Sequence, residues 1–91
     1  MKYEIKFTAQ FKKDLKWAKK QHKNLEKLFD AVSILANGDK LDESYHDHDL
    51  TGNYAGTREC HIEPDWLLIY KVSGNVVRFE RTGRHADLFD E

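Results

Sequence analysis

Tyr3, Ile5 and Phe7 alternate with Glu4 and Lys6 at the start of the chain. A period of two puts one face of a strand in a core and leaves the other in water. The period then changes. Phe11, Leu15 and Ala18, with Trp17 at the margin, recur at helical intervals among lysines, which predicts an amphipathic helix over 9–22 with Thr8 as its N-cap. Leu28, Phe29, Val32 and Leu35 line one face of a second helix over 25–36, which Asn24 can cap and Asn37-Gly38 can close. The short turn between them makes the pair an antiparallel hairpin.

Residues 39–55 are polar and form a long connection, of a kind that often carries function. Three apolar-rich runs follow at 57–63, 66–72 and 76–82, separated by Pro64-Asp65 and Ser73-Gly74-Asn75. Links this short predict an antiparallel meander. The order β-α-α-β-β-β predicts an α+β fold, a helical hairpin packed on a mainly antiparallel sheet, in a single domain over 1–91. Counting across the turns gives a trial register. A two-residue turn at Pro64-Asp65 sets Glu63 opposite Trp66 and His61 opposite Leu68, so that Glu59, His61 and Tyr70 share a face. A turn at Ser73-Gly74 sets Trp66 opposite Arg81 and adds Arg81 to that face. It brings Val77 and Phe79 along too, and only a bulge or sheet curvature would separate them from a wet surface.

Charge changes the picture more than composition does. The net charge of −1 divides into +5 over residues 1–40 and −6 over residues 41–91. That division argues against a simple charge-driven nucleic-acid binder. Lys12, Lys13, Lys16, Lys19, Lys20 and Lys23 cover the polar side of the first helix, either as a solvated face or as contacts for RNA phosphates. No run approaches the ~18–20 apolar residues that span a bilayer. The first residues lack the apolar stretch of a secretory signal. A lone Cys60 inside a predicted strand reads as a buried structural thiol and fits a reducing cytoplasm.

Four of the five histidines lie in the second half of the chain. His48 stands in His46-Asp47-His48-Asp49-Leu50-Thr51-Gly52, His61 in His61-Ile62-Glu63-Pro64-Asp65-Trp66, and His85 in Arg81-Thr82-Gly83-Arg84-His85. His46 to Asp49 is dense in metal-ligand types, but neighbours in a loop rarely all reach one ion, and no paired His-x-x-x-His or Cys-x-x-Cys frame is present. The expectation is therefore no metal and no cofactor. Acid–base chemistry asks for less. Cleavage of RNA by its own 2′-OH needs a base, an acid for the departing 5′ oxygen and a cation for the phosphoryl oxygens. Two histidines and an arginine supply all three, with Asp65 or Glu59 near enough to orient an imidazole. His22 and His46 have no supporting frame and read as structural.

The frames Asp47-His48-Asp49-Leu50-Thr51-Gly52, His61-Ile62-Glu63-Pro64-Asp65 and Arg81-Thr82-Gly83-Arg84-His85-Ala86-Asp87-Leu88-Phe89 occur together and in order. With them the chain resembles the YafQ branch of the RelE/ParE toxin superfamily over essentially its whole length. The resemblance implies a ribosome-dependent endoribonuclease that cuts mRNA in the ribosomal A site. It also implies neutralisation by a cognate DinJ-like antitoxin, through which the complex binds operator DNA. It carries active-site roles onto His48, His61, Asp65, Arg81, His85 and Phe89, with Glu59 where relatives hold an acidic residue. On that basis His85 is the expected general acid and His48 the general base. Arg81 would bind the scissile phosphate, His61 and Asp65 would orient, and Phe89 would stack on a base. Members of this superfamily are commonly basic, so here Lys12, Lys13 and Lys16 of the first helix would supply the docking charge. The alternatives are a ParE-like toxin that binds a protein such as gyrase without cleaving RNA, and an inactive corepressor.

Overall fold

Thr8 ends a strand and starts a helix within one residue. Its Oγ1 accepts from the Phe11 N–H at 2.9 Å and donates to the Glu80 carbonyl at 2.8 Å. The computed structural model describes residues 2–89. Its elements are β1 (Glu4–Phe7), α1 (Ala9–Lys20), α2 (Leu25–Ala36), β2 (His48–Asp49), β3 (Arg58–Glu63), β4 (Trp66–Ser73), β5 (Val76–Gly83) and α3 (His85–Phe89), with 3-10 turns at Glu43–Tyr45 and Gly52–Tyr54. The α+β arrangement is the expected one. Helix α1 stops two residues short of His22, which takes a left-handed φ of 58°. Strand β2, inside the presumed loop, and the closing α3 were not anticipated.

The strands form one sheet in the order β1-β5-β4-β3-β2. β1 runs parallel to β5, because the helical hairpin carries the chain across the sheet, and the other neighbours are antiparallel. Helices α1 and α2 cover one face. Phe11, Ala18, Leu28, Ala31 and Val32 pack there against Cys60, Trp66, Leu68, Tyr70, Val77 and Phe79. Each fully buried large side chain in this layer contributes ~1.5–3 kcal/mol. Phe29 is 38% exposed, so it lies at the edge of the stripe that was to bury it. The opposite face stays open except where α3 and the second 3-10 turn sit on Leu67 and Ile69 through Leu88, Leu50, Tyr54 and Phe89.

Two bulges correct the trial register. Glu63 does face Trp66, but a shift between His61 and Glu63 sets His61 opposite Leu67 and Glu59 opposite Ile69. Tyr70 therefore faces Arg58 and joins the helix-covered core, away from Glu59 and His61. The second hairpin turns at Gly74-Asn75, with Ser73 opposite Val76. A second shift follows, so that Phe79 faces Tyr70 while Arg81 faces Ile69 and not Trp66. An extra residue changes which face the following side chains take. Val77 and Phe79 thus enter the core, and Arg81 lies on the open side.

Asp14 ties this arrangement together. It is 7% exposed and stands on the buried side of α1. One carboxylate oxygen accepts from Arg81 Nε at 2.8 Å and from the Thr82 N–H at 3.1 Å; the other accepts from Arg81 Nη2 at 3.2 Å and from Gln10 Nε2 at 3.1 Å. β1 ends at Phe7, opposite Phe79, so the backbone of β5 beyond that point has no strand to pair with on this side. Thr8 takes up Phe79 and Glu80, and Asp14 takes up Thr82. An unsatisfied buried donor and an orphaned guanidinium are both costly. Asp14→Ala should therefore destabilise the fold by roughly 3 kcal/mol in chemical denaturation, and Asp14→Asn, which keeps an acceptor for Thr82, should cost less.

Candidate active site

Glu59 and His61 alternate with Cys60 on β3, so both point to the open face while the thiol is buried and its pKa pushed up by that burial. Glu59 has a side chain only 4% exposed, and its Oε1 lies 3.1 Å from His61 Nε2 and 3.5 Å from His48 Nε2. His48 reaches it because β2 pairs with β3 there, His48 directly opposite Glu59. A buried carboxylate needs partners of this kind. With Glu59 ionised, it accepts the His61 Nε2 proton and shares its charge with two imidazoles.

The short segment before β3 is held from the other side of the sheet. Tyr70 Oη donates to Asp47 at 2.7 Å, and Arg58 bridges Asp47 and Asp49, with Nη1 2.7 Å from Asp49. The Tyr70 pKa is raised by burial and by Asp47, and that of Arg58 chiefly by its hydrogen bond to Asp47. His46, beside this anchor, adopts a left-handed φ of 48°. Its carbonyl stands 2.7 Å from His48 Nδ1. A carbonyl can only accept, so His48 Nδ1 carries the proton and Nε2 of the neutral ring offers its lone pair.

His85 is placed by α3. Gly83 lets that helix fold tightly onto β5, since a Cβ there would stand 3.3 Å from Leu88 Cδ2. Asp65, in the β3–β4 turn, accepts from both the backbone N–H and the ring Nδ1 of His85 at 3.1 Å. These two hydrogen bonds, the backbone one first, hold the Asp65 carboxyl below its ordinary range. Again Nε2 is left free. His61 is the hub: its ring centroid lies 5.5 Å from His46, 6.3 Å from His48 and 5.7 Å from His85. Phe89 stacks obliquely on His85 at 5.9 Å and meets Tyr54 edge-on at 5.4 Å.

The structure thus brings together His48, Glu59, His61, Asp65, His85 and Phe89. His46, read as structural, belongs beside them. A cleft of about 830 Å³ opens next to it, lined by Lys27, Tyr45, His46, His61 and Glu63 among others. Arg81 lies in the same cross-strand row as Glu59 but two strands away, roughly 10 Å by strand spacing. Expected to be free for phosphate, it is paired with Asp14, which raises its pKa, and its side chain is 26% exposed. A guanidinium has five N–H donors, and Asp14 engages two of its nitrogens, so donors remain for an anion. Lys12, Lys13 and Lys16 are exposed on α1 and do not enter the cluster. Asp14 was the missed residue. A carboxylate within the Phe11–Ala18 stripe was its signal, since a polar group on a core face is the informative exception. Glu59, His61 and His85 also offer three ligand atoms within 4.8 Å of one another, a set suited to a metal ion that the loop-based reading did not consider.

Fold and site together describe a small α+β protein that holds several imidazoles, each oriented by an acceptor, on the open face of a sheet. Residues 3–90 match the model of the family described as the bacterial toxin of the type II toxin–antitoxin system, YafQ. The mRNA interferase toxin YafQ of Escherichia coli strain K12 is 46% identical over 87 residues, covering 94% of this chain and 95% of its own. The crystal structure of YafQ from E. coli strain BL21(DE3) superposes with a TM-score of 0.92 at 44% identity, over 96% of this chain and 98% of that one. The E. coli DinJ–YafQ complex matches with a TM-score of 0.89 at 45% identity and the same coverage. The chain belongs to the YafQ toxin family.

Two measurements check the geometry. In ring-nitrogen NMR, uncharged His48 should be the Nδ1–H tautomer; the Nε2–H form would remove it as a base. The Asp65 carboxyl should titrate below about 3.9, the value of an unperturbed aspartate. The hold on His85 is then intact above that pH and is lost only as pH falls through the lowered value. A midpoint at or above the ordinary value would contradict the pairing.

Proposed function

We propose that this chain is an mRNA interferase, an endoribonuclease that cuts mRNA in the ribosomal A site and is neutralised by a DinJ-like antitoxin. Two imidazoles flanking His61, each with its Nδ1 held by an acceptor, carry this reading, because their Nε2 atoms can serve as base and acid in one phosphoryl transfer. The relatives support it, since one is named an mRNA interferase and another was solved with DinJ. Such a protein works in the cytoplasm, where ribosomes are. No helix among the described residues is long and apolar enough to cross a membrane. In complex with its antitoxin it would bind operator DNA through that partner.

The roles follow from the acceptors. The His46 carbonyl holds the Nδ1 proton of His48, so Nε2 is the nitrogen that takes the proton from the 2′-OH. The 2′ oxygen then attacks the adjacent phosphorus. Asp65, a carboxylate, complements a charged ring, so His85 delivers its Nε2 proton to the departing 5′ oxygen. A 2′,3′-cyclic phosphate and a 5′-hydroxyl result, and each ring ends in the other's starting state. Arg81 supplies charge to the phosphoryl oxygens through the donors Asp14 leaves free. His61, held by Glu59, orients the transferring group between its two neighbours. Phe89, half-buried and in contact with both His85 and Tyr54, offers an aromatic face to an unpaired base.

Loss of a general acid costs about 10²–10⁴-fold in rate. His85→Gln and His48→Ala should each slow cleavage of ribosome-bound mRNA by that factor, and their expression should no longer arrest growth. Primer extension should find the wild-type cuts within translated codons. Growth arrest with unbroken mRNA and disturbed DNA topology would instead indicate a gyrase-binding toxin.

A further inference from the structure

Away from the histidine cluster, the open face of the sheet carries a row of like charges. Lys6 on β1 is opposite Arg78 on β5, and Arg78 is opposite Lys71 on β4. Like charges placed directly across a sheet repel and are ordinarily destabilising. Here three occur side by side on adjacent strands. Glu80 answers only Arg78, at 2.8 Å, and among the described residues Lys6 and Lys71 have no carboxylate within ion-pair distance. The row therefore keeps two positive charges unmatched.

The row does not stand alone. A groove of about 330 Å³ runs past Lys71, Arg78 and Glu80 to Arg81 and Tyr54. Tyr54 meets Phe89, and Phe89 meets His85, so the groove leads into the proposed catalytic surface without crossing the core. Lys71 is four residues along β4 from Leu67, the partner of His61, or about 13 Å at strand rise.

We infer that Lys6, Lys71 and Arg78 form a phosphate track for the single-stranded mRNA whose scissile bond lies at His48 and His85. The inference rests on the nuclease reading and extends it to the strand that leads away from the cut. Charge complementarity and continuity with the site through Arg81, Tyr54 and Phe89 favour the message over ribosomal RNA. The track also explains how a domain of net charge −1 grips a polyanion: the cations that matter lie on one sheet face near the chemistry. The lysines of α1 are not required for this contact.

The test is a Lys6→Gln, Lys71→Gln, Arg78→Gln triple variant, checked for unchanged melting. With a 2′-O-methyl oligoribonucleotide as probe, the salt dependence of binding should become shallower by roughly 2 in log–log slope, since each single-strand phosphate contact contributes about 0.7. On mRNA-programmed ribosomes the half-saturating toxin concentration should rise about tenfold or more while the saturated cleavage rate is kept. If the triple variant folds poorly, Lys6→Gln and Lys71→Gln singly should each remove about 0.7 of slope. An unchanged slope overturns the track. So does equal weakening on ribosomes without mRNA, which would assign the row to ribosomal RNA, or a loss confined to antitoxin binding. Cleavage at saturation by the wild type separates failure of the track from failure of the nuclease reading.

Discussion

A strand of four residues beside one of eight leaves backbone groups without partners, and the molecule is organised by how it answers them. β1 stops at Phe7, while β5 continues to Gly83 in the interior of the sheet. Water cannot supply the missing hydrogen bonds at buried positions, so side chains must. Thr8 and Asp14 do so from the start and the middle of α1, which fixes where that helix lies against β5. The same Asp14 holds Arg81, immediately after the bulge that turned it to the open face. One carboxylate thus couples the sheet's incomplete edge, the placement of a helix and the orientation of the Arg81 guanidinium.

The histidine cluster uses the same device with weaker groups. Imidazoles on short, exposed segments would sample many orientations and both tautomers. Each is instead pinned by an acceptor whose own position is set by the backbone: the His46 carbonyl for His48, Asp65 for His85, Glu59 for His61. Those acceptors differ in charge and burial. A neutral carbonyl, an exposed carboxylate and a buried carboxylate give three histidines three electrostatic environments within a few ångströms. Only Glu59 is costly to bury, and it is the one with two imidazole partners.

Most of the fold was legible because its signals are local. The period-two start, the two helical stripes, the caps at Thr8 and Asn24 and the two tight turns all reappear within two residues of their expected positions. Register was legible only for the first pair at Pro64-Asp65, since the second hairpin turns one residue later than expected. A bulge inserts one residue with no marked change in composition, and every side chain beyond it changes face. That is why Tyr70 was expected on the face of Glu59 and His61 and belongs instead to the core. His46 was overlooked for a related reason: its place depends on Asp47 reaching Tyr70 across 23 residues of sequence, a contact no spacing rule contains. Most of the candidate site could be named from its sequence frames, but which ring nitrogen is held by an acceptor depends on hydrogen bonds visible only in three dimensions.

The division of charge between the two halves of the chain is resolved by topology. β1 comes from the basic half, yet it pairs with β5 from the acidic half, and this brings Lys6 beside Arg78. Several acidic residues of the second half are paired locally: Asp47 and Asp49 with Arg58, and Glu63 with Lys23 and Lys27. A carboxylate bound to a cation projects little field beyond its neighbours at physiological ionic strength. The charge available to a polyanion is therefore set by what remains unmatched on the open face of the sheet. By that measure the Lys6–Arg78–Lys71 row is locally basic although the chain carries a net charge of −1.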